Sequence, residues 1–441
     1  MKNINPGDVH SSLAEHMLVD GMDLVFDMKR SQGAYICDAR DGRRFLDFFS
    51  FFVTYPVGIN HPKMLERPFK EALAEVAIQN PSNSDVYTVE MADFVETLSR
   101  VAMAKHTPYL FLVAGGALAV ENALKAAFDW KVRKNFARGF AEERGQQVIH
   151  FEQCFHGRSG YTLSMTNTAD PRKTMYFPKF DWPRVHNPKI LYPLEGANLE
   201  NVVEAEKKAV EQIKQALTKN ENDIAALIIE PIQGEGGDNH FRKEFFRELR
   251  TLADENEFMF IVDEVQTGLG LTGKMWAHEH MEVLPDMVCF GKRMQVCGFT
   301  ASRRLDEVDN HVFKESSRIN STWGGNLVDM FRATRYLEII EEEQLVNNAR
   351  EVGAHLFSGL KEIQSEFPQL ISNTRGRGLM CAFDLPDTET RDKFCGIAYE
   401  KGMLILSSGV TSIRFRSSLT LTREQCDEGL EITRKALREI S

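Results

Sequence analysis

The sequence predicts an α/β protein in which a large domain, a mostly parallel sheet flanked by helices, is joined to a smaller α+β domain. The first observation is that short apolar runs alternate with helical patterns through the middle of the chain, as expected of βαβ units. The second is a change of pattern near residue 327, after which long helical stretches precede strand-like segments. A chain of 441 residues is long enough for two or three domains.

Five short apolar runs are predicted as the strands of the large domain. They are Tyr109–Val113, Val148–Phe151, Ala225–Ile229, Phe258–Val262 and Met287–Phe290. A pair of glycines follows the first run, and a helix is predicted to begin at Ala117.

The tail is predicted to open with a long helix from about Leu327 to Ala354. Three strand-like segments and a last amphipathic helix follow, at Gly378–Leu385, Gly402–Ser408, Ser412–Leu419 and Arg423–Ile440. We therefore place the large domain at residues 61–326 and the small domain at residues 327–441, and we expect residues 1–60 to pack with the small domain.

The composition argues against several classes of protein. A net charge of −11 is unlike that of a nucleic-acid-binding protein, which normally has a basic face, although a few local arginines can still bind an anionic substrate. The sequence contains no apolar run of about 18 residues that would span a membrane, and its first residues do not resemble a signal peptide. The seven cysteines are scattered and lack zinc-ligand spacing, so we expect reduced thiols, no metal and a cytoplasmic location.

The residues just after the predicted strands are the candidates for chemistry, because ligands of open α/β sheets bind beyond the carboxyl ends of the strands. In chain order they are Gly115–Ala117, Phe155–Arg158, Gln233–Gly236, Asp263–Gln266 and Gly291–Lys292. An anion-binding turn, an aromatic residue, a carboxylate and a lysine would meet at one edge of the sheet. This combination predicts a site for pyridoxal phosphate (PLP).

Each part of this site has a physical reason and a simpler alternative. The helix that opens at Ala117 offers free N–H groups to a phosphate, or is only a strand-to-helix turn. Asp263 would pair with the protonated pyridine nitrogen, or it caps a helix like many strand-end aspartates. Lys292 at an apolar strand end should have a lowered pKa that suits imine formation, or it is a surface lysine beside Arg293. The conjunction of the three favours the cofactor.

Two other motifs suggest different chemistry. Gly268–Gly273 fits the dinucleotide pattern G-x-G-x-x-G, and Gly268–Lys274 fits the start of a phosphate-binding NTPase loop. We expect neither function, because the glycines do not directly follow a strand and Met275 stands where an NTPase needs Ser or Thr. The run His278–His280 is expected to face solvent, since the sequence shows no further ligand cluster.

Longer motifs resemble a known family. IVDEVQTG followed by FGK is similar to the class III (ornithine/GABA-type) aminotransferases, and the similarity covers nearly the whole chain. The variants GGALAVENALKAAFDWK, FHGRSGYTLS, EPIQGEGGD, FGKRMQVCG, NSTWGGN and RGRGLMCAF resemble its lysine 6-aminotransferase (lysine ε-aminotransferase) subgroup.

The resemblance implies a PLP enzyme of fold type I, a homodimer with active sites at the subunit interface. Lys292 would bind the cofactor and shuttle a proton, and Asp263 would pair with its ring nitrogen. The other implied contacts are Gln266 with the ring oxygen, Phe155 and Val265 with the two ring faces, Gly116 and Ala117 with the phosphate, and Thr322 with the phosphate of the neighbouring subunit.

The resemblance also implies three substrate-binding residues. Arg158 would bind the distal carboxylate, Arg416 would bind the α-carboxylate of 2-oxoglutarate, and Glu235 would cover Arg416 when lysine is bound. The two arginines could instead form structural salt bridges. The family usually has Pro-Pro after the second arginine, whereas this chain has Ser417–Ser418, which puts the placement of Arg416 in question.

The implied reaction transfers the ε-amino group of L-lysine to 2-oxoglutarate, giving 2-aminoadipate 6-semialdehyde and L-glutamate. Two alternatives lie close to it: an ω-aminotransferase acting on ornithine, GABA or diaminobutyrate, and a PLP racemase or aminomutase of the same fold. The most distant alternative is an ATPase that uses the loop Gly268–Lys274.

Overall fold

The computed structural model describes residues 4–441. Its strands are β1 (Tyr35–Cys37), β2 (Arg44–Asp47), β3 (Tyr109–Val113), β4 (Gln147–Phe151), β5 (Arg184–Val185), β6 (Ile224–Ile229), β7 (Ile232–Gln233), β8 (Asn239–His240), β9 (Met259–Asp263), β10 (Met287–Phe290), β11 (Cys297–Ala301), β12 (Ser372–Arg377), β13 (Met380–Asp384), β14 (Met403–Leu404), β15 (Leu406–Ser408) and β16 (Ser412–Phe415).

Its α-helices are α1 (Val9–Ala14), α2 (Ser50–Val53), α3 (Arg67–Ile78), α4 (Val89–Val101), α5 (Gly116–Ala137), α6 (Gly160–Met165), α7 (Gly196–Lys219), α8 (Lys243–Glu255), α9 (Leu327–Glu342), α10 (Leu345–Glu366), α11 (Thr388–Glu400) and α12 (Arg423–Ile440). Short 3₁₀ helices lie at Pro6–Asp8, Pro62–Met64, Pro171–Lys173, Ala277–His280, Lys292–Met294 and Arg303–Glu307.

The large sheet has seven strands in the order β3-β11-β10-β9-β6-β4-β5. Neighbours from β10 to β5 are parallel, whereas β11 runs antiparallel to both β10 and β3. The buried strands β6, β9 and β10 are continuous apolar runs, as expected of a parallel sheet covered on both faces. Their carboxyl ends meet at one edge of the sheet, so residues that follow them lie together.

All five predicted strands of the large domain are present, within one residue at each end. The prediction missed β11, because its sequence CGFTA lacks an apolar run. Gly298 on β11 has a specific packing reason, since a side chain there would overlap the backbone of Phe111 on the neighbouring strand.

A four-stranded antiparallel sheet, in the order β12-β13-β16-β15, forms the centre of the C-terminal part. The single long helix predicted from Leu327 to Ala354 is wrong: two helices, α9 and α10, meet at Gln344, whose left-handed φ of 51° breaks the helical path. The predicted strand Gly402–Ser408 is likewise split at Ile405 into β14 and β15. The last predicted strand ends at Phe415, and the final helix begins and ends as predicted.

The N-terminal part shares a sheet with the C-terminal part. Strand β2 pairs antiparallel with β1 and parallel with β14 in a three-stranded sheet. Asp47 at the end of β2 accepts backbone hydrogen bonds from Phe49 and Ser50 at 2.8 and 2.7 Å, and Ser50–Val53 then forms a left-handed turn. The domain boundaries stay a prediction, although α9 begins at Leu327, where the small domain was placed.

Two helical glycines make matched sites for a stability test. A Cβ on Gly353 of α10 would overlap the backbone of Gly378, whereas a Cβ on Gly396 of α11 would meet nothing within 4 Å. We expect Gly353→Ala to lower the free energy of unfolding by about 1–3 kcal/mol, because overpacking outweighs the gain in helix propensity. Gly396→Ala should raise it by about 0.5–1 kcal/mol. Thermal unfolding followed by circular dichroism measures both, and equal behaviour of the two variants would contradict this packing.

Candidate active site

A cavity of about 530 Å³ lies at the carboxyl ends of the parallel strands. It is lined by residues that follow β3, β4, β6, β9 and β10, together with the first turn of α9. Eight of the residues that the sequence singled out line it together, namely Gly116, Ala117, Phe155, Arg158, Asp263, Val265, Gln266 and Lys292.

The turn between β3 and α5 is built for close approach. Gly115 has a φ of 115°, which side-chain-bearing residues rarely adopt. A Cβ on Gly116 would lie 2.9 Å from Cγ1 of Val265, so glycine is needed where the two loops meet. Gly157 packs as closely against Ala117, since a Cβ on Gly157 would lie 2.6 Å from that of Ala117. Helix α5 begins at Gly116, so its free N–H groups can hold an anion.

Asp263 ends strand β9 and is 4% exposed. Its Oδ2 lies 2.8 Å from Nδ1 of the buried His156, and its Oδ1 accepts a hydrogen bond from the backbone of Val265 at 3.1 Å. Burial opposes the charged form of His156, but Cys154 and Asp263 raise its pKa well above the ordinary value. His156 thus forms a buried ion pair with Asp263, whose carboxylate is a suitable partner for a protonated ring nitrogen.

His156 is a site residue that the sequence analysis did not identify. It stands between Phe155 and Gly157, both of which were singled out. The signal that could have found it is the cost of a buried carboxylate, which demands a cationic or hydrogen-bonding partner.

Glu230 is a second site residue that was missed, and it directly follows β6. It accepts hydrogen bonds from the backbone of Phe155 at 2.9 Å and of Gly234 at 3.0 Å. Burial raises its pKa to about 7, His156 lowers it and Asp263 raises it further. Glu230 therefore fixes the loop that carries Phe155 and the start of the loop that carries Glu235.

Lys292 follows Gly291 at the end of β10 and has a left-handed φ of 45°. Burial and the charge of Arg414 lower its pKa to about 8, while Asp263 opposes the shift. A lysine with this pKa is partly neutral near physiological pH and can act as a nucleophile or a base.

Glu235 and Arg416 do not pair with each other in this structure, and the pairing expected when lysine is bound stays a prediction. Both terminal nitrogens of Arg416 are bound by Asp238, through Nη1 at 3.0 Å and through Nη2, and Glu235 pairs with Lys173 instead. The physical reason is the loop geometry: Asp238, with a φ of 51°, faces the buried end of the loop, whereas Glu235 is only half-buried.

A buried arginine of the small domain holds this loop. Arg375 on β12 donates to the backbone carbonyl of Asp238 at 2.9 Å, to Ser412 at 2.7 Å and to Asp384 at 2.8 Å. The loop that joins β7 to β8 is therefore fixed to the four-stranded sheet.

Ser417–Ser418 does not leave Arg416 loose. The Ser417 hydroxyl donates to the carbonyl of Asp47 at 3.1 Å, and the backbone N–H of Arg416 donates to Phe48 at 3.0 Å. The side chain of Ser418 lies 3.0 Å from that of Thr420. These hydrogen bonds, not proline rings, hold the strand end in place.

Thr322 is exposed and does not line the cavity of its own chain. Its carbonyl accepts hydrogen bonds from Ser82 at 2.7 Å and Ser84 at 3.3 Å. The role implied for it, contact with the neighbouring subunit, stays a prediction.

The glycine-rich segment Gly268–Lys274 is a packed turn, not a phosphate-binding loop. A Cβ on Gly268 would lie 2.5 Å from the ring of Trp276, and Lys274 donates to the carbonyl of Glu279 at 2.9 Å. The prediction that His278 faces solvent is wrong: it is buried, and Nδ1 lies 2.9 Å from the carboxylate of Glu264. Within residues 4–441 no cluster of three or more His, Cys, Asp and Glu side chains could hold a metal ion.

The cofactor fits this site on structural grounds. The helix terminus at Gly116 can hold a phosphate, the charged Asp263 can hold a cationic ring, and Lys292 faces the same cavity with a lowered pKa. Amine chemistry on a ring that is both anchored and kept cationic defines a pyridoxal-phosphate-dependent enzyme.

The particular family follows from comparison with known proteins. The model of the family described as aminotransferase class-III matches residues 18–437. An L-lysine-epsilon aminotransferase of Mycobacterium tuberculosis is 49% identical over 98% of this chain and 96% of its own length. The chain belongs to the class III aminotransferases and depends on pyridoxal phosphate.

Other relatives and solved structures agree. An L-lysine-epsilon aminotransferase of Streptomyces clavuligerus is 48% identical over 97% of this chain and 94% of its own length. The solved lysine aminotransferase of M. tuberculosis in the internal aldimine form has a TM-score of 0.97 at 48% identity and covers 99% of this chain and all of its own. The fold is that of fold type I, as expected from the sequence.

Replacing the two candidate lysines separates the two motifs. Lys292→Ala should abolish the covalent absorbance band of bound cofactor and slow amino transfer by about 10²–10⁴-fold, since it removes the nucleophile and the base together. Lys274→Ala should leave turnover unchanged, because Lys274 only bonds to a backbone carbonyl. Absorbance spectra and steady-state rates check both, and the reverse outcome would restore the phosphate-loop interpretation.

The lowered pKa of Lys292 predicts how fast the cofactor-free enzyme captures PLP. Only the neutral amine attacks a carbonyl, so the capture rate should rise with pH up to the pKa of Lys292, about 8, and then level off. A lysine with the ordinary pKa of 10.5 would show a rate still rising above pH 9. The measurement is the growth of the cofactor band after mixing, between pH 6 and about 10.

Proposed function

We propose that this enzyme transfers the ε-amino group of L-lysine to 2-oxoglutarate, giving 2-aminoadipate 6-semialdehyde and L-glutamate. The observation that carries the proposal is 48–49% identity, over nearly the full length, to relatives that are L-lysine-epsilon aminotransferases. The site geometry supports it with one reactive lysine, one arginine in the cavity lining and a separate group of three buried arginines.

The chain's own residues divide the work of amino transfer. PLP, when bound, supplies an electron sink for the electrons released at the substrate carbon. Asp263, ion-paired with His156, would bind the protonated ring nitrogen. Lys292, with a pKa near 8, would hold the cofactor and, once the substrate amine has taken its place, would carry a proton between substrate and cofactor. Phe155, Val265 and Gln266 would orient the ring.

Arg158 supports binding of a carboxylate at the cavity mouth. Its side chain lines the cavity and is exposed to solvent, so its guanidinium is free to form a bidentate contact with an incoming carboxylate. In the proposed reaction it binds the α-carboxylate of lysine or the γ-carboxylate of 2-oxoglutarate.

The second group of arginines is buried and carries an excess of positive charge. Arg293, Arg414 and Arg416 lie close enough for their charges to interact, with Asp238 as the carboxylate bound to Arg416. Burial and Arg416 lower the pKa of Arg293 to about 9. Such an excess favours a ligand with a second carboxylate. The α-carboxylate of 2-oxoglutarate would supply that negative charge. Lysine has no carboxylate next to the carbon that carries its ε-amine.

We further propose a homodimer in which Thr322 completes the neighbouring site. Val86, Tyr87 and Val89 are 62, 77 and 81% exposed, and Trp323 beside Thr322 is 48% exposed. Hydrogen bonds between Asn83 and the Trp323 carbonyl join the two segments into one surface. An apolar surface of this kind is typical of a subunit interface.

The nearest alternative donor is GABA. A human mitochondrial 4-aminobutyrate aminotransferase is 34% identical over 95% of this chain and 87% of its own length. Ornithine or diaminobutyrate would differ from lysine in chain length, and a racemase or aminomutase would not consume 2-oxoglutarate. A cytoplasmic location stays a prediction; residues 4–441 contain no helix that is both long and apolar enough to cross a membrane.

A half-reaction assay tests the proposal. L-Lysine alone should convert the PLP band of the holoenzyme to that of the pyridoxamine form, and 2-oxoglutarate should restore it with formation of glutamate. Ornithine and GABA serve as matched donors of different length and charge. If the PLP band responds to ornithine or GABA but not to lysine, lysine is not the amino donor. Turnover of lysine without any need for 2-oxoglutarate would indicate a racemase or aminomutase.

A further inference from the structure

The loop between β7 and β8 carries two carboxylates with different cationic partners. Asp238 binds Arg416 in the buried end of the loop. Glu235, near the start of the loop, pairs with Lys173. Lys173 belongs to the connection between α6 and β5, which is part of neither the cofactor-binding turns nor the small sheet. The nearby carboxylate of Glu235 is thus held by a residue outside the described site.

Hydrogen bonds hold the backbone of both Lys173 and Glu235 in place. Asp170 accepts a hydrogen bond from the backbone of Arg172 and so caps the 3₁₀ turn that ends at Lys173. The carbonyl of Glu235 accepts a hydrogen bond from Gly409 at 2.9 Å. Because the backbone is held, Glu235 can change partner only by rotating its side chain. The two side chains are 31 and 23% exposed, so water and salt screen the pair only in part.

The competing partners of Glu235 are Arg414 on β16 and Arg416 just after that strand. Burial and the charge of Arg416 lower the pKa of Arg414, while the carboxylates of Asp238 and Glu235 oppose this shift. Glu235 is therefore within electrostatic reach of Arg414. Within the described residues 4–441, Nε and Nη1 of Arg414 and Nε of Arg416 are buried without a hydrogen-bond partner. Buried unpaired donors favour the approach of any free carboxylate.

We propose that Lys173 is a positioning residue that holds Glu235 away from Arg414 and Arg416, and so keeps these arginines open to the α-carboxylate of a 2-oxo diacid. The inference rests on the proposed function, because it concerns how one cavity accepts 2-oxoglutarate and lysine in turn. Without the Lys173 charge, the Glu235 carboxylate turns to the arginines and competes with the diacid. Lysine has no carboxylate at the end that reacts, so Glu235 does not compete with it.

The test compares the two half-reactions of the holoenzyme in Lys173→Met. The pyridoxamine form is prepared by adding pyridoxamine phosphate to the cofactor-free protein, and its reaction with 2-oxoglutarate is followed by stopped-flow absorbance. We expect the apparent dissociation constant of 2-oxoglutarate to rise about two- to fivefold, because this is the change in binding that the loss of one ion pair near the surface typically causes. The limiting rate should be unchanged, and the binding of lysine should not weaken. Lys173→Arg should restore the wild-type values.

Arg172→Met is the matched control. Arg172 is the neighbouring cation, and its side chain is 79% exposed. Among residues 4–441 it forms an ion pair only with Asp170. This variant removes the same charge from the same turn and should leave both half-reactions unchanged. The double variant Lys173→Met/Glu235→Gln should bind 2-oxoglutarate more tightly than Lys173→Met alone, because the competing carboxylate has lost its charge.

The outcomes separate this inference from the proposed function. Weaker 2-oxoglutarate binding in Lys173→Met, reversed in the double variant, supports the inference. An unchanged dissociation constant in Lys173→Met, equal weakening by Arg172→Met, or a double variant that binds no better would overturn it. A wild-type enzyme that ignores lysine but shows the same dependence on Lys173 would remove lysine as the donor and leave the inference standing.

Discussion

The buried ion pair between Asp263 and His156 is the interaction on which the rest of the site depends. A carboxylate at the end of a buried strand is costly without a cationic or hydrogen-bonding partner. His156 is the cationic partner of Asp263. The residues on either side of His156 are also held in place. Phe155 is held by the Glu230 carboxylate at 2.9 Å, and Gly157 packs on Ala117. The aromatic residue, the anion-binding turn and the acid are therefore placed by one cluster.

Arg416 is positioned by a separate set of contacts, which come from the small sheet. Arg375 of the small sheet binds the loop that carries Asp238, and Asp238 in turn binds Arg416. The large sheet supplies the cofactor-binding loops, and the small sheet fixes Arg414 and Arg416, whose charges act on Lys292. Of the carboxylates on that loop, Asp238 is 1% exposed and structural, whereas Glu235 is half-buried and paired to Lys173. This difference in burial separates a permanent partner of Arg416 from a carboxylate that can move.

The sequence was sufficient where one local rule decides the outcome. Continuous apolar runs placed the parallel strands, and the residues after them lie in one cavity. It was not sufficient where tertiary contacts decide. Strand β11 has little apolar character and depends on its two neighbours, and Gln344 breaks a helix that the periodicity continued. His156 and Asp238 were missed because their roles depend on partners 107 and 178 residues away.

The pair Ser417–Ser418 shows how the N-terminal part is connected to Arg416. Proline rings would have fixed this backbone locally. Here the Ser417 hydroxyl and the N–H of Arg416 instead bond to the carbonyls of Asp47 and Phe48, next to a left-handed turn. Burial raises the pKa of Asp47 to about 6, and its hydrogen bonds from the turn oppose that rise. The placement of Arg416 therefore depends on the N-terminal strands, a segment far from it in sequence.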